Sequence, residues 1–131
     1  MTQEDKDLLL KDLCGRLSYN VKVLYENKVF SVDYISAIYE EIKLDILDNY
    51  TIDISEVKPY LFPMSSMTEE QKKEYRKVCE LDTEILLKHP MDETPFPALY
   101  NSQDWLNKNR FDYRGLIPKG LAEDATDKNI Y

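Results

Sequence analysis

The chain has 131 residues, of which 43% are hydrophobic and 32% charged, and its formal net charge is −8. This composition fits a single folded domain over residues 1–131 with a sizeable core, and it excludes a disordered or low-complexity chain. No apolar run approaches the roughly 18 residues of a membrane-spanning helix, and the first residues are acidic rather than typical of a signal peptide. We therefore expect a cytoplasmic protein that does not contact a membrane.

The counts of reactive residue types narrow the chemistry further. Two cysteines, Cys14 and Cys79, are too few for a disulfide framework or a four-thiolate zinc site, so we expect both to be reduced and packed. With one histidine, His89, and three glycines, the chain cannot supply a zinc site with paired histidines or a phosphate-cradling loop. A nucleophilic triad would need His89 as its base. No cofactor, metal or catalytic residue is therefore expected.

The first predicted helix spans residues 3–14. Thr2 is a good N-cap, and Gly15 stands where a helix often ends in left-handed backbone. The leucines repeat at helical spacing, which predicts that they face the core while the charged residues between them, Asp12 included, face water. The leucines expected to be buried are Leu9, Leu10, Leu13 and Leu17.

After the first helix the hydrophobic pattern alternates, which indicates strands. We predict a β-hairpin of 20–26 with 28–36, a third strand at 42–47 and a fourth at 51–57. Residues 36–41 could be helical instead. About four short antiparallel strands, in a sheet that is either open or curled, and about three short helices make an α+β domain.

Residues 56–81 connect the sheet to the second helix. Pro59 and Pro63 favour extended backbone, and because a proline has no N–H to donate, this stretch is predicted to be an edge strand of the sheet or a segment that wraps around it. Thr68 and Gln71 form the pattern of a capping box, which predicts that a helix starts there and runs to the end of the segment.

The rest of the chain is predicted as loops and one short helix. Residues 90–101 hold three prolines and are expected to form a loop. The third helix starts at Ser102 and is anchored by Trp105. The last ten or so residues are polar and can fray, although Ile130 and Tyr131 could dock on the body.

Residues 105–119 form a basic and aromatic island in a chain that is acidic elsewhere. Such a mixture could stack bases and bind phosphates. It could equally be a structural corner, in which a carboxylate holds Arg114 and the aromatic rings join the core. Tyrosine and arginine are also the residues that dominate protein–protein hot spots. The candidate binding residues are Trp105, Lys108, Arg110, Phe111, Tyr113, Arg114 and Lys119.

Four carboxylates lie close together in the sequence: Asp45, Asp48, Asp53 and Glu56. Carboxylate oxygens are the ligands that Mg²⁺ and Ca²⁺ prefer, so a divalent-metal-dependent hydrolase is one function to consider. The spacing does not match an EF-hand, and strand alternation places Asp45 and Asp53 on the solvent side. We therefore favour a solvated acidic face.

Three blocks of the chain carry a resemblance: EDKDLLLKDLCGRL (4–17), KPYLFPMSSMTEEQ (58–71) and FDYRGLIPKGLA (111–122). They resemble short uncharacterised proteins of gut Bacteroidetes and of the phages and mobile elements of those hosts. The resemblance implies a bacterial or phage origin and implies no activity. Members often carry histidines at the places that Asn109 and Arg110 occupy here, so histidine chemistry would not carry over.

These observations favour a small acidic accessory protein of a bacterium, phage or mobile element that binds another protein and catalyses nothing. The net charge of −8 suits a basic partner as well as a merely soluble surface. It disfavours nonspecific attraction to nucleic acid. Association with nucleic acid through 105–119 is the alternative function.

The nucleic-acid hypothesis predicts that labelled single- or double-stranded DNA or RNA shifts in gel electrophoresis at low salt. Replacing Arg110 and Arg114 with alanine should then weaken both the binding and its salt dependence, because each arginine on a phosphate displaces a counterion. An absence of any shift at low salt would leave binding to a protein as the favoured hypothesis.

Overall fold

The computed structural model describes residues 1–45, 50–88 and 101–131. In these ranges the chain is an α+β fold of three α-helices and a mixed sheet of seven strands, so the predicted class is confirmed and the predicted strand number was too low. The helices are α1 (Gln3–Arg16), α2 (Glu69–Lys88) and α3 (Asn101–Lys108). The strands are β1 (Lys22–Tyr25), β2 (Lys28–Ser36), β3 (Glu41–Leu44), β4 (Ile52–Asp53), β5 (Lys58–Pro63), β6 (Phe111–Asp112) and β7 (Glu123–Asp124).

The strands follow the order β4-β3-β2-β1-β5-β6, and β7 pairs with β5 beside this path. The pairings among the first five strands are antiparallel, whereas β5 pairs with β6 and β7 in parallel. Strands β6 and β7 have two residues each, which is too short for an alternating pattern to show in the sequence. This is why the prediction missed them.

The β1–β2 hairpin forms as predicted, with Lys22 opposite Ser31 and Tyr25 opposite Lys28. The two residues of its turn, Glu26 and Asn27, have φ angles of 47° and 63°. Two left-handed residues in a two-residue loop suit the right-handed twist of the flanking strands. The hairpin therefore contains a glutamate in backbone that L-residues rarely adopt.

The segment after β2 differs from both predictions for 36–41, because residues 37–40 form a turn rather than a strand or helix. Residues 46–49, which include the end of the predicted third strand, lie outside the described residues. The predicted fourth strand ends early, after Asp53, because a capping box of Asp53 and Glu56 starts a 3₁₀ turn there.

Helix α1 begins as predicted, with the Thr2 hydroxyl accepting from the Asp5 N–H at 3.1 Å. Its predicted end is wrong: Gly15 lies inside the helix, and the left-handed residue is Asn20, after one 3₁₀ turn. A Cβ on Gly15 would lie 3.3 Å from Nδ2 of Asn107. The close approach of α3 to α1 therefore favours glycine, which has no side chain, at this position.

Helix α2 has the predicted capping box: the Thr68 N–H donates to Gln71 Oε1 at 2.8 Å, and the Gln71 N–H donates to Thr68 Oγ1 at 3.1 Å. The sequence left open whether residues 84–88 extend this helix or form a separate turn, and the helix continues to Lys88. Most of the predicted loop at 90–101 lies outside the described residues, and Asn101 already belongs to α3.

Strand β5 is not the edge strand that its prolines predicted. Pro59 lies opposite Val23 of β1, and the strand also pairs with β6 and β7. The residues between the prolines supply the hydrogen bonds: Phe62 N–H donates to the Arg110 carbonyl, and the Leu61 carbonyl accepts from Ala125 N–H, both at 2.8 Å. Prolines near its ends therefore leave this strand free to pair on two sides.

The buried side chains form two clusters. The larger one joins Leu9 and Leu13 of α1 to β1–β4 and to the segment around Leu116. The smaller one holds Met67, Trp105, Leu106 and Phe111, with Tyr75 of α2 packed against it. Both cysteines are free as predicted, but Cys14 is exposed and only Cys79 is partly packed.

Replacing the β1–β2 turn with asparagine and glycine, Glu26→Asn with Asn27→Gly, should raise the free energy of unfolding by about 1 kcal/mol. Left-handed backbone costs an ordinary L-residue about that much, and Asn-Gly is the preferred pair for this turn. Urea denaturation measures the change. Asn27→Ala should shift stability in the opposite direction; a stabilising alanine would contradict the turn geometry.

Candidate functional site

A buried ion pair connects α1 to the basic island. Asp12 and Arg16 are spaced i,i+4 on one face of the helix, and both side chains have no exposed surface. Arg16 Nε lies 2.9 Å from Asp12 Oδ2, and Arg16 Nη2 lies 3.1 Å from Asp12 Oδ1. This fork-to-fork geometry is the strong form of an arginine–carboxylate pair. The prediction that Asp12 faces water was therefore wrong.

The same arginine also donates hydrogen bonds to α3 and to β6. Arg16 Nη2 donates to the Phe111 carbonyl at 2.6 Å, and Arg16 Nη1 donates to the Leu106 carbonyl at 3.4 Å. Arg114 Nη1 donates to Asp12 Oδ1 at 2.9 Å. One carboxylate thus faces two guanidinium groups, and two carbonyl oxygens help to balance the second positive charge.

Tyr113 completes this network. Its ring lies under both arginines, with the Arg16 Cζ atom 5.3 Å and the Arg114 Cζ atom 4.6 Å from the ring centroid. Its hydroxyl donates to Asn107 Oδ1 at 2.8 Å. The interpretation of 105–119 as a structural corner, with Arg114 held by a carboxylate, matches this geometry.

The aromatic residues of the island are packed inside the protein. The rings of Trp105 and Phe111 stack with centroids 5.8 Å apart, and Tyr75 lies 5.3 Å from Trp105. Trp105 Nε1 donates to Glu74 Oε1 at 2.9 Å. Only 9% of Trp105 and 2% of Phe111 is exposed, so neither ring presents a face on which a base could stack.

The remaining island residues differ in exposure. Arg110 is partly buried, donates to the Tyr19 carbonyl at 2.9 Å and lies over the Tyr131 ring. Lys108 and Lys119 are exposed. The structure therefore brings Phe111, Tyr113 and Arg114 together around Arg16 and Asp12 and leaves the two lysines at the surface. Binding of a ligand by any of them stays a prediction.

The described acidic residues that suggested a metal site accept hydrogen bonds from the backbone instead. Asp45 Oδ1 accepts from the Ser31 N–H at 3.1 Å, and Glu56 Oε2 accepts from the Asp53 N–H at 3.2 Å. Hydrogen bonds from the Ser55 side chain and backbone, and then from Lys6, lower the pKa of Asp53. Within residues 1–45, 50–88 and 101–131, no three His, Cys, Asp or Glu side chains gather as metal ligands would.

Asp48 of the acidic cluster and His89, the base that a nucleophilic triad would need, both lie outside the described residues. The surface concavities in the part of the chain that is described include three of about 250, 270 and 310 Å³. Each is lined by at most two charged side chains, such as Asp104 with Lys108 in the concavity between α2 and α3. None of the three brings together a pair of carboxylates for acid–base chemistry.

A different surface, which the sequence did not indicate, is the turn between β2 and β3. Ile38 is 87% exposed and Tyr39 is 73% exposed, and Tyr34 on β2 is 47% exposed. We call these three residues the apolar tip. The sequence left 36–41 open to a helix, whereas Ile38 and Tyr39 lie in a turn between Ser36 and Glu41 and are exposed. Two large apolar residues inside a tight turn are the signal that could have found them.

The turn is held in place from several sides. The Tyr39 N–H donates to Ser36 Oγ at 3.3 Å, and the Ile54 N–H donates to the Glu40 carbonyl at 2.8 Å. The Glu40 carboxylate accepts from Gln3 at 2.7 Å and lies 3.4 Å from Lys6 Nζ. The backbone that carries Ile38 and Tyr39 is thus tied both to α1 and to the turn after β4.

Comparison of the chain with protein-family models, with curated proteins and with solved structures gave no match. In the described ranges no helix combines the length and the apolar character needed to cross a membrane. The resemblance of the three sequence blocks stays a prediction.

Asp12→Asn should lower the free energy of unfolding by about 3 kcal/mol, because two buried arginines lose their carboxylate. Asp7→Asn, which removes the same charge from an exposed position of α1, should change it by no more than about 0.5 kcal/mol. Chemical denaturation of both variants tests this, and equal effects would refute the role given to Asp12. Arg114→Ala would disturb the same network, so Lys108→Ala and Lys119→Ala are the cleaner substitutions for the nucleic-acid test.

Proposed function

We propose that the chain is a small acidic accessory protein of a bacterium, phage or mobile element, that it acts by binding another protein, and that the apolar tip is its contact surface. The observation that carries the proposal is the exposure of Ile38 and Tyr39, 87% and 73%, on a turn whose backbone is held by the rest of the fold. The resemblance of the blocks at 4–17, 58–71 and 111–122 supports the origin.

Single exposed apolar residues are ordinary on protein surfaces, whereas adjacent exposed apolar residues on a constrained turn indicate an interaction site. Tyrosine is enriched at hot spots because its large ring buries much area while its hydroxyl stays hydrogen-bonded. A turn that is already ordered also loses little conformational entropy on binding. Ile38 and Tyr39 therefore have the chemistry and the rigidity of an interface anchor.

The charge around the apolar tip indicates the character of the partner. Asp33 on β2 and Glu40 and Glu41 at the turn are acidic, and Lys6 and Lys43 pair with two of them. With a net charge of −8 for the whole chain, a partner with a basic rim around an apolar pocket would associate fastest. Rim charges of this kind set the association rate and the specificity more than the affinity.

Nucleic-acid association has less support. It needs aromatic faces and arginines that are free to contact bases and phosphates. Trp105 and Phe111 stack on each other, and Arg114 is bound to Asp12. A metal-dependent hydrolase also has less support, because the described residues contain no cluster of three His, Cys, Asp or Glu side chains that could bind a metal ion.

The double substitution Ile38→Ser with Tyr39→Ser should weaken partner binding about 100-fold, as loss of two hot-spot side chains does. A photo-crosslinking amino acid at position 34 identifies the partner in cells that encode the protein, and titration calorimetry then compares the variants. Leu87→Ser is the matched control, because Leu87 is an equally exposed residue, at 82%, on α2. Both variants should keep the wild-type melting temperature.

Two results would count against the proposal. One is a partner that binds the wild-type chain and the double variant with the same affinity. The other is a wild-type chain that sediments as a monomer and forms no crosslink in its native cells.

A further inference from the structure

The hydroxyl of Tyr131 replaces a direct backbone hydrogen bond between two strands of the sheet. The register of β1 with β5 pairs Val23 with Pro59 and Leu24 with Lys58, which sets Lys22 opposite Tyr60. The Lys22 N–H donates to the Tyr131 hydroxyl at 2.9 Å, and that hydroxyl donates to the Tyr60 carbonyl at 2.7 Å. One phenol oxygen thus bridges the two strands where they separate.

The ring of Tyr131 also has close contacts with neighbouring side chains. The Arg110 Cζ atom lies 3.9 Å from the ring centroid, a close cation–π contact, and the Phe62 ring lies 5.9 Å away at an angle of 49°. Burial raises the pKa of Tyr131 to about 12. The hydroxyl therefore keeps its proton near neutral pH, as it must in order to donate to Tyr60.

The groups that contact Tyr131 belong to other parts of the fold. Lys22 starts β1, Tyr60 and Phe62 lie in β5, and Arg110 directly precedes β6. Arg110 also donates to the Tyr19 carbonyl, and its Nε atom is buried with no hydrogen-bond partner among the described residues. We call these four residues the phenol socket. The sheet holds Lys22, Tyr60 and Phe62, and the Tyr19 carbonyl accepts a hydrogen bond from Arg110.

The segment that brings Tyr131 to the socket is bound more lightly. Residues 126–129 are exposed, and Asp127 and Asn129 have left-handed φ angles of 61° and 51°. Its backbone is held by local hydrogen bonds, from the Lys128 N–H to the Ala125 carbonyl at 3.2 Å and from the Thr126 N–H to Asp124 Oδ1 at 2.8 Å, and the Lys128 ammonium lies 3.8 Å from Glu123 Oε2. Tyr131 itself is 40% exposed. The occupant is therefore held mainly by its own side chain.

We propose that the phenol socket is a binding site for the tyrosine side chain of a partner polypeptide, and that Tyr131 fills it in the free chain. The socket offers a donor and an acceptor to a hydroxyl, a guanidinium to the face of the ring and an aromatic side chain to its edge. A phenylalanine would leave Lys22 N–H and the Tyr60 carbonyl unpaired. A phosphotyrosine would set negative oxygens against that carbonyl. The ligand class is thus an unmodified tyrosine.

The test uses the full chain with Tyr131→Ala and two probes, N-acetyltyrosinamide and N-acetylphenylalaninamide. Nuclear magnetic resonance follows the Lys22 amide. The tyrosine probe should move this resonance toward its wild-type position and should bind at least about 10-fold more tightly than the phenylalanine probe, which lacks the two hydrogen bonds. The wild-type chain should bind the tyrosine probe at least about 10-fold more weakly, because Tyr131 competes at a high effective concentration.

Tyr50→Ala is the matched control, since Tyr50 is an exposed tyrosine away from the socket, at 52%. It should behave like the wild type with both probes. The Ile38→Ser and Tyr39→Ser variant should also keep the wild-type behaviour, so this proposal and the one for the apolar tip stand or fall separately.

If Tyr131→Ala is folded, two results would overturn the proposal and leave Tyr131 with a purely structural role. One is a Lys22 amide resonance that does not move when the tyrosine probe is added. The other is equal affinity for the two probes. Should Tyr131→Ala be unfolded, the same probes are tested for restoring the folded spectrum. Rescue by the tyrosine probe but not by the phenylalanine probe supports the socket. Rescue by neither, or by both equally, overturns it.

Discussion

The arrangement of the helices depends on one carboxylate, that of Asp12. Moving a charge out of water costs several kcal/mol, and this cost is offset only when the partners are close and well oriented. Arg16 and Arg114 both meet Asp12 at 2.9 Å, and the carbonyl oxygens of Leu106 in α3 and Phe111 in β6 accept further hydrogen bonds from Arg16. A shift of α1 against α3 or β6 would break the hydrogen bonds of Arg16 to the Leu106 and Phe111 carbonyls and would separate Arg114 from Asp12. The network therefore selects one packing of these elements.

This constraint also decides which residues remain available for recognition. The island at 105–119 has the composition of a binding surface, but its arginine and aromatic residues are used to join α1, α3 and β6. The contact surfaces that we propose are the apolar tip, at the turn between β2 and β3, and the phenol socket, to which the island contributes Arg110. In both, hydrogen bonds from distant parts of the chain hold the contact groups in place, which is the preorganisation that tight recognition needs.

Local signals in the sequence predicted local structure well. The Thr2 cap, the Thr68–Gln71 capping box and the β1–β2 hairpin all act between residues a few positions apart, and all formed. Prediction failed where a distant segment intervened. Gly15 lies in the last turn of α1 with the Asn107 side chain against it, and β5 is paired on two sides because residues after 110 return to it. No pattern around Gly15 or Pro59 carries that information.

The sequence by itself determined the α+β class, the starts of the helices, the first hairpin and the mixture of basic and aromatic residues after α3. Only the tertiary structure decided that Asp12 is buried, that Ile38 and Tyr39 are exposed and that Tyr131 bridges two strands. The physical reason is the distance along the chain: Asp12 meets Arg114 across 102 residues, and Tyr131 meets Lys22 across 109. Whether a charge or a ring is buried depends on the partner that folding brings to it, and periodicity and composition describe only its neighbours.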